Sequence, residues 1–363
     1  MISFLYLSAF STQGGIERFN QAFIYALNKN TKNIALYSIY DRLESLDKRY
    51  SNNATFAGFY KSRILTALII IVKLLLKKSD VLFIGHLNLA PLGLMVQLVR
   101  PKFKIILIGH GIDVWGQTSF VKKMFLKRVH QIWAVSSFTR DKMIQEYRLS
   151  PEKFRLFPNT LDPFVDFSAN SEHLKQLKDR YAIQEGTKII LTVCRISSSE
   201  AYKGYDRVVK ALALIKTPNV CYLLAGKYDE IEKRRVLEIA EKYKVADRVV
   251  FTSFIPDEEL IAHYKLADVF IMPSTNEGFG IVFLEAIACG VRVIAGNIDG
   301  SADALAHGEL GMLINPLADD EIANALDQVL SKQDIDDSLP IKMADKFGIA
   351  AFVERQKKYI EED

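Results

Sequence analysis

Two carboxylates, Glu277 and Glu285, lie eight residues apart in a segment that reads Glu-Gly-Phe-Gly-Ile-Val-Phe-Leu-Glu. An apolar strand pattern over 268–272 precedes this segment, and a helical pattern runs from 281 to 289. Glu277 is therefore predicted in a strand-to-helix loop, with Glu285 about two turns further along. N–H groups at a helix start bind phosphate, and a carboxylate accepts two hydrogen bonds from a diol. The spacing indicates a site for a nucleotide-activated sugar, with Glu277 at the sugar and Glu285 at the ribose.

Two cations follow the first strand pattern in the second half of the chain. Arg195 ends that strand, and Lys203 follows eight residues later, directly before Gly204. Cations that converge on one loop suit a diphosphate leaving group, and a solvated pair is the alternative. The polar stretch between them, residues 197–202, is predicted to be a mobile loop.

The candidate residues of the first half also follow strand patterns. Gly14 and Gly15 open a helix after the first strand, where paired glycines let a ligand approach the backbone. An ordinary tight turn is the alternative, and the absence of a Gly-x-Gly-x-x-Gly sequence there disfavours a nicotinamide site. His110 follows the strand pattern 104–108. It can bond a sugar hydroxyl, accept a proton from an acceptor, or be purely structural.

One backbone position and three thiols complete the candidates. Ile255 follows the strand pattern 249–252, and backbone groups near it can contact a nucleobase edge, with a structural role as the alternative. Cys194, Cys221 and Cys289 lie in apolar patterns without a Cys-x-x-Cys pair, so they are expected to be reduced core residues. The six histidines show no metal-ligand spacing, and no metal is expected.

The elements that must position these residues alternate between apolar strands and helical patterns, which predicts parallel α/β sheets. Strands are predicted at 2–7, 34–39, 81–84, 104–108 and 131–135, and then at 188–193, 221–225, 249–252, 269–272, 291–295 and 311–314. A linker-like segment with two prolines, 157–163, separates the two series, and a polar helical stretch follows at 166–185. Two doubly wound domains are predicted, with a division after residue 165 and a cleft between them.

The formal net charge of +4 hides an uneven distribution. Residues 1–165 contain 23 Lys and Arg and 10 Asp and Glu, a balance of +13, whereas residues 166–363 contain 24 and 33, a balance of −9. The basic half suits an anionic membrane surface or a polyanionic acceptor, and a solvated basic domain is the alternative. The neighbouring Lys122, Lys123, Lys127 and Arg128 are the predicted contacts to anionic lipid.

No segment reaches the roughly 18–20 apolar residues of a membrane span. The nearest one, residues 64–76, has 13 residues with Lys73 among them, and a packed helix is favoured over a helix that lies in a membrane interface. Residues 1–7 lack a basic start and predict a first strand rather than a signal peptide. A cytoplasmic protein is expected, with peripheral attachment to the membrane's cytoplasmic face as an open alternative.

Seven motifs occur along nearly the whole chain in one order. They are G-G-x-E from Gly14, H-G-x-D from His110, A-V-S-S-F from Ala134, P-N-x-x-D from Pro158, R-(x7)-K-G from Arg195, P-S-x-x-E-G-F-G from Pro273, and E-x(7)-E from Glu277. In this order the chain resembles retaining glycosyltransferase family four, the glycosyl transferases group 1, with the GT-B fold. The motif around Glu277 and Glu285 is the most specific element of the resemblance.

The resemblance implies two Rossmann-like domains that face each other across a cleft. Residues 1–165, completed by a C-terminal helix at 346–363, would form the acceptor domain, and residues 166–345 the donor domain. The implied reaction is retaining, metal-independent transfer of a hexose from a nucleotide-diphosphate sugar to a glycan, lipid-linked or polysaccharide acceptor. A UDP-sugar is favoured as donor, with GDP-mannose as the other option. No cofactor and no nucleic-acid partner are expected.

The resemblance also implies roles for individual residues. Catalytic roles are predicted for His110 and Glu277 at the transferred sugar and for Arg195 and Lys203 at the diphosphate. The full predicted donor-binding set is Gly14, Gly15, Arg195, Lys203, Ile255, Glu277, Gly278, Phe279, Gly280, Ile281, Val282 and Glu285.

Two other functions are left open. One is a sugar-nucleotide epimerase or a phosphorylase of the same fold, which Glu285 together with the pair Arg195 and Lys203 disfavours. The other is a non-catalytic nucleotide-sugar-binding protein, which the presence of every expected site residue disfavours. Incubation with donor alone identifies an epimerase, because an epimerase needs no acceptor.

Overall fold

The computed structural model describes residues 1–59, 62–76, 81–116, 118–168, 171–332 and 336–362. The chain divides into two compact units. Unit 1 consists of Met1–Phe164 with Phe347–Asp363, and unit 2 consists of Val165–Lys346. Each unit contains one parallel β-sheet with helices connecting its strands.

Unit 1 contains a seven-stranded sheet in the order β3-β2-β1-β4-β5-β6-β7, and every pairing is parallel. Its elements are β1 (Ile2–Tyr6), α1 (Gly15–Asn30), β2 (Ile34–Ser38), β3 (Thr55–Ala57), α2 (Arg63–Leu76), β4 (Val81–Ile84), α3 (Ala90–Val99), β5 (Lys104–Gly109), α4 (Phe120–Arg128), β6 (Gln131–Ala134), α5 (Ser137–Tyr147) and β7 (Phe154–Leu156). The chain winds outward in both directions from β1 and β4, so the topological switch point of this sheet lies between those two strands.

Unit 2 contains a six-stranded parallel sheet in the order β10-β9-β8-β11-β12-β13. Its elements are α6 (Ser171–Arg180), β8 (Lys188–Val193), α7 (Tyr205–Ala211), β9 (Val220–Ala225), α8 (Glu230–Lys242), β10 (Val249–Ser253), α9 (Asp257–Leu266), β11 (Val269–Met272), α10 (Ile281–Ala288), β12 (Arg292–Gly296), α11 (Ser301–Ala304), β13 (Met312–Ile314), α12 (Asp319–Leu330) and α13 (Leu339–Phe347). Here the switch point lies between β8 and β11, which pair through Val269 opposite Ile190.

Short 3₁₀ turns connect several of these elements. They span Leu43–Ser45, Leu87–Leu89, Ile112–Val114 and Pro151–Lys153 in unit 1, and Ser198–Lys203, Ala246–Arg248 and Ala306–Gly308 in unit 2.

The strands form where apolar residues run without interruption, because helices cover both faces of a parallel sheet. All five residues of β1 and all four of β11 are buried. The eleven predicted strands are present, and their ends differ from the prediction by at most one residue. The sequence did not predict β3 and β7, two partly exposed three-residue strands at the edges of the unit 1 sheet. The predicted helix at 166–185 is shorter, at Ser171–Arg180, and residues 169–170 lie outside the described residues.

Helix α14 (Ile349–Glu361) follows unit 2 in the chain but packs on α1 in unit 1. Its Phe352 is fully buried, with ring centroids 5.7 Å from Phe19 and 4.5 Å from Phe157. The Gln356 side-chain amide donates to the Phe23 carbonyl at 3.2 Å. An aromatic cluster and a buried hydrogen bond therefore attach the last helix to the first.

Helix α2 covers the segment for which a packed helix was favoured. One side of it is buried through Ile70, Ile71 and Leu74. The other side carries further apolar residues that remain exposed, in the series Ile64, Leu65, Leu68, Val72 and Leu76. Among the described residues, no helix combines the length and the apolar character that crossing a membrane requires.

Replacing Phe352 with Ala should destabilise unit 1 by about 3–5 kcal/mol, because it removes a buried ring and leaves a cavity between α1 and α14. Both tryptophans, Trp115 and Trp133, lie in unit 1, so denaturant unfolding followed by tryptophan fluorescence reports on this unit. The matched control is Phe120→Ala, which truncates an exposed phenylalanine of the same unit and should leave the midpoint unchanged. Equal midpoints for the two variants would contradict the packing described for α14.

Candidate functional site

The loops after β8 and β11 meet at the switch point of unit 2. The Thr275 N–H donates to the Tyr202 carbonyl at 2.9 Å. Gly204 has a φ of +76°, and a Cβ on it would lie 2.3 Å from the Pro273 carbonyl oxygen. Only glycine tolerates both that backbone conformation and that close approach. The loop that carries the cations and the loop that carries Glu277 are thereby held against each other.

A carboxylate links the two predicted cations. Glu200 lies 3.0 Å from the Arg195 guanidinium through one oxygen and 2.7 Å from the Lys203 ammonium through the other. The Arg195 side chain is 67% exposed, whereas that of Lys203 is 15% exposed. The stretch 197–202, whose mobility stays a prediction, forms 3₁₀ turns over Ser198–Lys203 that carry Glu200 and Lys203.

The pKa values at this cluster reflect its burial. Burial lowers the pKa of Lys203, but Cys194, Glu277 and Glu200 raise it by more, so the pKa is raised and the ammonium is charged at neutral pH. Burial raises the pKa of Glu277, and the neighbouring Lys203 lowers it in part. Lys203 and Glu277 are therefore close enough to influence each other's charge.

The Glu277 loop leads directly into α10. Gly280 has a φ of +90°, where a glycine is favoured, and is the last residue before the helix. Phe279 and Ile281 are buried, and Val282 is partly exposed at the start of the helix. Because N–H groups of a first helical turn have no partner within the helix, this end of α10 suits a phosphate group or another anion.

Glu285 lies further along α10 and is only 5% exposed. The Tyr264 hydroxyl of α9 donates to Oε2 of Glu285 at 2.7 Å, so a buried tyrosine orients this carboxylate. Ile255 lies elsewhere in the unit, partly buried after the edge strand β10. Strand β9 separates β10 from β8, so Ile255 follows a strand two positions away from the one that precedes Arg195.

Asp299 follows β12 and contacts the Glu277 loop through hydrogen bonds. Its Oδ2 accepts hydrogen bonds from the Ser274 hydroxyl at 2.6 Å and from the Glu277 backbone N–H at 2.7 Å. Its Oδ1 accepts a hydrogen bond from the Ser301 N–H at 3.0 Å. Burial raises the pKa of Asp299, and these hydrogen bonds oppose the rise.

In unit 1, a buried carboxylate fixes the loop that precedes the predicted glycine pair. Asp41 accepts hydrogen bonds from the backbone N–H groups of Ala9 at 2.8 Å and Ser11 at 3.0 Å. Gly14 precedes α1 in an extended conformation, and a Cβ on Gly15 would meet no atom within 4 Å. The β1–α1 loop is thus held in place and has open space beside Gly15.

His110 follows β5 and packs against α1, with its ring centroid 4.7 Å from that of Phe19. Its Nε2 lies 3.0 Å from the Gly85 carbonyl, which can only accept, so Nε2 carries the proton and Nδ1 can accept a hydrogen bond. Burial and the neighbouring His86 lower the pKa of His110 to about 3. The ring is therefore neutral at neutral pH and a weak base, which favours hydrogen bonding over proton acceptance.

Asp113, in the same turn as His110, combines two unusual properties. Its Oδ1 accepts a hydrogen bond from the His110 backbone N–H at 3.1 Å, whereas its buried Oδ2 has no hydrogen-bond partner among the residues that the structure describes. Burial raises the pKa of Asp113 to about 7. This carboxyl group is therefore partly protonated near neutral pH.

The three cysteines are free thiols. Burial raises the pKa of Cys194 and of Cys289 to about 12 and that of Cys221 to about 11. Protonated thiols are poor nucleophiles, so none of them has the character of a catalytic thiolate.

Residues 175–351, most of which lie in unit 2, match the family model described as glycosyl transferases group 1. The GDP-mannose-dependent alpha-(1-6)-phosphatidylinositol monomannoside mannosyltransferase of Mycolicibacterium smegmatis is 28% identical over 344 residues, or 88% of this chain and 86% of that protein. The protein with the same description from Mycobacterium tuberculosis is 31% identical over 263 residues, or 68% of this chain and 66% of that protein. The chain belongs to the glycosyl transferases group 1.

A solved structure shares this fold. The crystal structure of HepE from Anabaena in complex with UDP and glucose matches this glycosyltransferase with a TM-score of 0.79 at 16% identity, covering 99% of this chain and 100% of that one. The predicted fold class, α/β with two doubly wound Rossmann-like domains of the GT-B type, is confirmed.

Sequence reasoning missed three polar residues of this glycosyltransferase that organise the predicted ones. Glu200 was visible only as one polar residue of a loop, Tyr264 as part of a helical pattern, and Asp299 as one carboxylate of the sequence Asn-Ile-Asp-Gly-Ser. The available signal for Asp299 was its place directly before a glycine and soon after a predicted strand.

Stability should fall with acidification in part because of His110. Its folded pKa of about 3 lies below the ordinary value near 6.5, so between these pH values the unfolded chain binds a proton that the folded chain does not. The contribution of the neutral His110 ring to the free energy of unfolding is therefore fully present above pH 6.5 and is lost as the pH falls toward 3. We expect His110→Gln to show a shallower loss of the fluorescence-detected unfolding midpoint from pH 7 to pH 4 than the wild type. Parallel curves for the two proteins would show that His110 is not held neutral.

Proposed function

We propose that this glycosyltransferase transfers a hexose from a nucleotide-diphosphate sugar, with retention at the anomeric carbon and without a metal ion. The observation that carries the proposal is the charge cluster at the switch point of unit 2, where Arg195 and Lys203 share Glu200 beside the Glu277 loop. Ligands of open α/β sheets bind at such points, outside the carboxyl ends of the strands.

The two cations have complementary properties for a diphosphate. Arg195 is largely exposed and can reach an incoming ligand, whereas Lys203 is a largely buried fixed charge. Diphosphate oxygens would take over the contacts that Glu200 makes in the free enzyme. Fixed positive charges aimed at the leaving group stabilise the transition state more than the bound donor, because the charge on the diphosphate grows as it leaves.

The transfer step needs no reactant other than the sugar donor and the acceptor hydroxyl. The acceptor oxygen forms its bond to the anomeric carbon on the face from which the diphosphate leaves, and the hydroxyl proton passes to a leaving phosphate oxygen. Glu277 would accept hydrogen bonds from sugar hydroxyls, and Glu285, oriented by Tyr264, from the ribose. The predicted role of His110 at the transferred sugar stays a proposal, which its neutral ring and available Nδ1 support.

The choice of donor rests on the relatives. The two mannosyltransferases at 28% and 31% identity are described as GDP-mannose-dependent, whereas the UDP complex of HepE is only 16% identical. We therefore favour GDP-mannose over the UDP-sugar that sequence analysis placed first. A thermal-shift screen over GDP-, UDP- and ADP-sugars tests this order, because a ligand of the folded state raises the melting temperature.

The acceptor that we propose is a lipid-linked glycan or a glycolipid. The relatives named above act on phosphatidylinositol monomannoside, according to their descriptions. An epimerase or phosphorylase, or a non-catalytic binding protein, remains the alternative. Transfer of radiolabelled mannose to an extracted lipid fraction, compared with donor incubated alone, separates these functions.

Replacing Lys203 or Arg195 with Ala should lower turnover by roughly 10²–10³-fold, the range measured for other groups that stabilise transition-state charge. Steady-state kinetics with the identified donor measures the effect, and chelation with EDTA should leave the wild type active. The matched control is Lys178→Ala, an exposed lysine on α6 of the same unit, which should retain full turnover. If EDTA abolished the activity and Mn²⁺ restored it, a metal ion rather than Arg195 and Lys203 would neutralise the charge of the leaving diphosphate.

The surface of unit 1 supports contact with an anionic membrane. Helix α3 packs against both α2 and α4, and each of the three helices exposes apolar side chains. This exposed apolar set consists of Ile64, Leu65, Leu68, Val72, Leu76, Met95, Leu98, Val99, Phe120 and Val121. Basic residues of α4 accompany it, including the exposed Lys123, Lys127 and Arg128. Exposed apolar side chains beside positive charge are the combination that binds an anionic lipid interface.

Co-sedimentation with liposomes tests this contact. Binding should require anionic lipid and fall steeply with salt, because each basic residue at the surface contributes about 1 kcal/mol. Changing Lys122, Lys123, Lys127 and Arg128 to Gln should weaken binding, whereas the same change at four exposed lysines of unit 2, Lys175, Lys178, Lys242 and Lys244, should not. Protein that stays in the supernatant with anionic liposomes at low salt would contradict membrane contact.

A further inference from the structure

Asp299 and Gly300 together bond both backbone polar groups of Glu277. Oδ2 of Asp299 accepts a hydrogen bond from the Glu277 N–H, and the next residue, Gly300, donates its own N–H to the Glu277 carbonyl at 2.9 Å. The Ser274 hydroxyl, from the start of the same loop, donates to the same Oδ2. The segment after β12 therefore binds the Glu277 loop at three points, two on its backbone and one on the Ser274 side chain.

These bonds are strong for a physical reason. Asp299 is 3% exposed, and a buried carboxylate is costly unless donors surround it. Hydrogen bonds to a charged acceptor are shorter and stronger than neutral ones, in agreement with the 2.6 and 2.7 Å distances at Oδ2. A displaced Glu277 loop would leave this carboxylate short of donors, so the loop has one favoured position.

Close packing adds a second constraint at the same place. A Cβ on Gly300 would lie 2.2 Å from the Gly278 carbonyl oxygen and 2.8 Å from that of Glu277. Gly300 itself has an ordinary helical backbone, with φ −65°, so alanine is excluded only by the loop and not by conformation. The Glu277 loop rests directly on this glycine.

We propose that Asp299 is a positioning residue that sets Glu277 and the start of α10 in the geometry that binds the donor sugar. This role rests on the proposed function, because it acts through Glu277. Asp299 also acts electrostatically, since its negative charge is one of the causes that raise the pKa of Glu277 after burial. The same carboxylate thus determines both where Glu277 lies and how readily it ionises.

Asp299→Asn is the direct test. The amide keeps the volume but replaces one acceptor oxygen by a donor, so bonds from Ser274 and Glu277 or from Ser301 are lost. We expect kcat/KM for the donor to fall by about 10- to 100-fold, the range for a lost hydrogen bond to a buried charge, while KM for the acceptor changes less than about twofold. The limb of the pH profile that reports Glu277 should move to lower pH, because a neighbouring negative charge is gone.

Two further variants distinguish a positioning role of Asp299 from a general loss of structure around it. Gly300→Ala pushes the same loop while the carboxylate stays, so donor kcat/KM should fall with the pH limb unmoved, and this result does not depend on the stability of Asp299→Asn. Ser301→Ala is the matched control. It removes the Ser301 hydroxyl, which lies 3.0 Å from the Ser274 hydroxyl and also acts on Asp299, but leaves the bonds to Asp299 from the Ser274 hydroxyl and from the N–H groups of Glu277 and Ser301. Its loss of donor kcat/KM should therefore be much smaller than that of Asp299→Asn.

The outcomes distinguish this role from the function it rests on. A wild type that neither binds nor turns over any nucleotide sugar contradicts the proposed function itself. An active wild type with equally active, folded Asp299→Asn and Gly300→Ala variants overturns only the role of Asp299. Equal losses in Ser301→Ala and Asp299→Asn, with no movement of the pH limb, would also overturn it.

Discussion

The buried ammonium group of Lys203 needs carboxylates beside it, and this need constrains the whole site of unit 2. Lys203 is largely removed from water, and a buried charge persists only where counter-charges meet it. Glu200 supplies one at 2.7 Å, and Glu277 is a second within electrostatic reach. The loops that follow β8 and β11 must therefore approach closely. Gly204, which no residue with a Cβ could replace beside Pro273, makes that approach sterically feasible.

The two units present different chemistry at the carboxyl ends of their central strands. In unit 2 the groups are charged, and the free enzyme already balances them among Arg195, Lys203 and Glu200. In unit 1 the histidine after β5 is neutral at neutral pH, and Asp113 beside it titrates near pH 7. Strong fixed charge suits the phosphate groups of the proposed donor, whereas neutral hydrogen-bonding groups suit sugar hydroxyls.

The sequence predicted the strands and the Glu277 loop well because local signals define them. Uninterrupted apolar runs located eleven strands, and the glycines around Phe279 located the turn into α10. The pairing of Glu277 with Asp299 was not predictable in this way, because 22 residues and the register of β11 on β12 separate the partners. Helical spacing likewise located Glu285 on α10 but could not show that Tyr264, from the preceding helix, covers it. Contacts of this kind follow from tertiary packing rather than from local pattern.

The attachment of α14 to α1 has a consequence for how the chain folds during synthesis. Unit 2 lies within the sequence of unit 1, so the ribosome makes 182 residues, Val165 to Lys346, between the sheet of unit 1 and the helix that covers it. Until α14 emerges, Phe19 and Phe157 lack the partner ring of Phe352. Unit 2, in contrast, is continuous and can complete its core as soon as it leaves the exit tunnel. The nascent chain therefore holds an unfinished aromatic surface for about half of its synthesis, and that surface is where a chaperone that binds exposed apolar side chains would act.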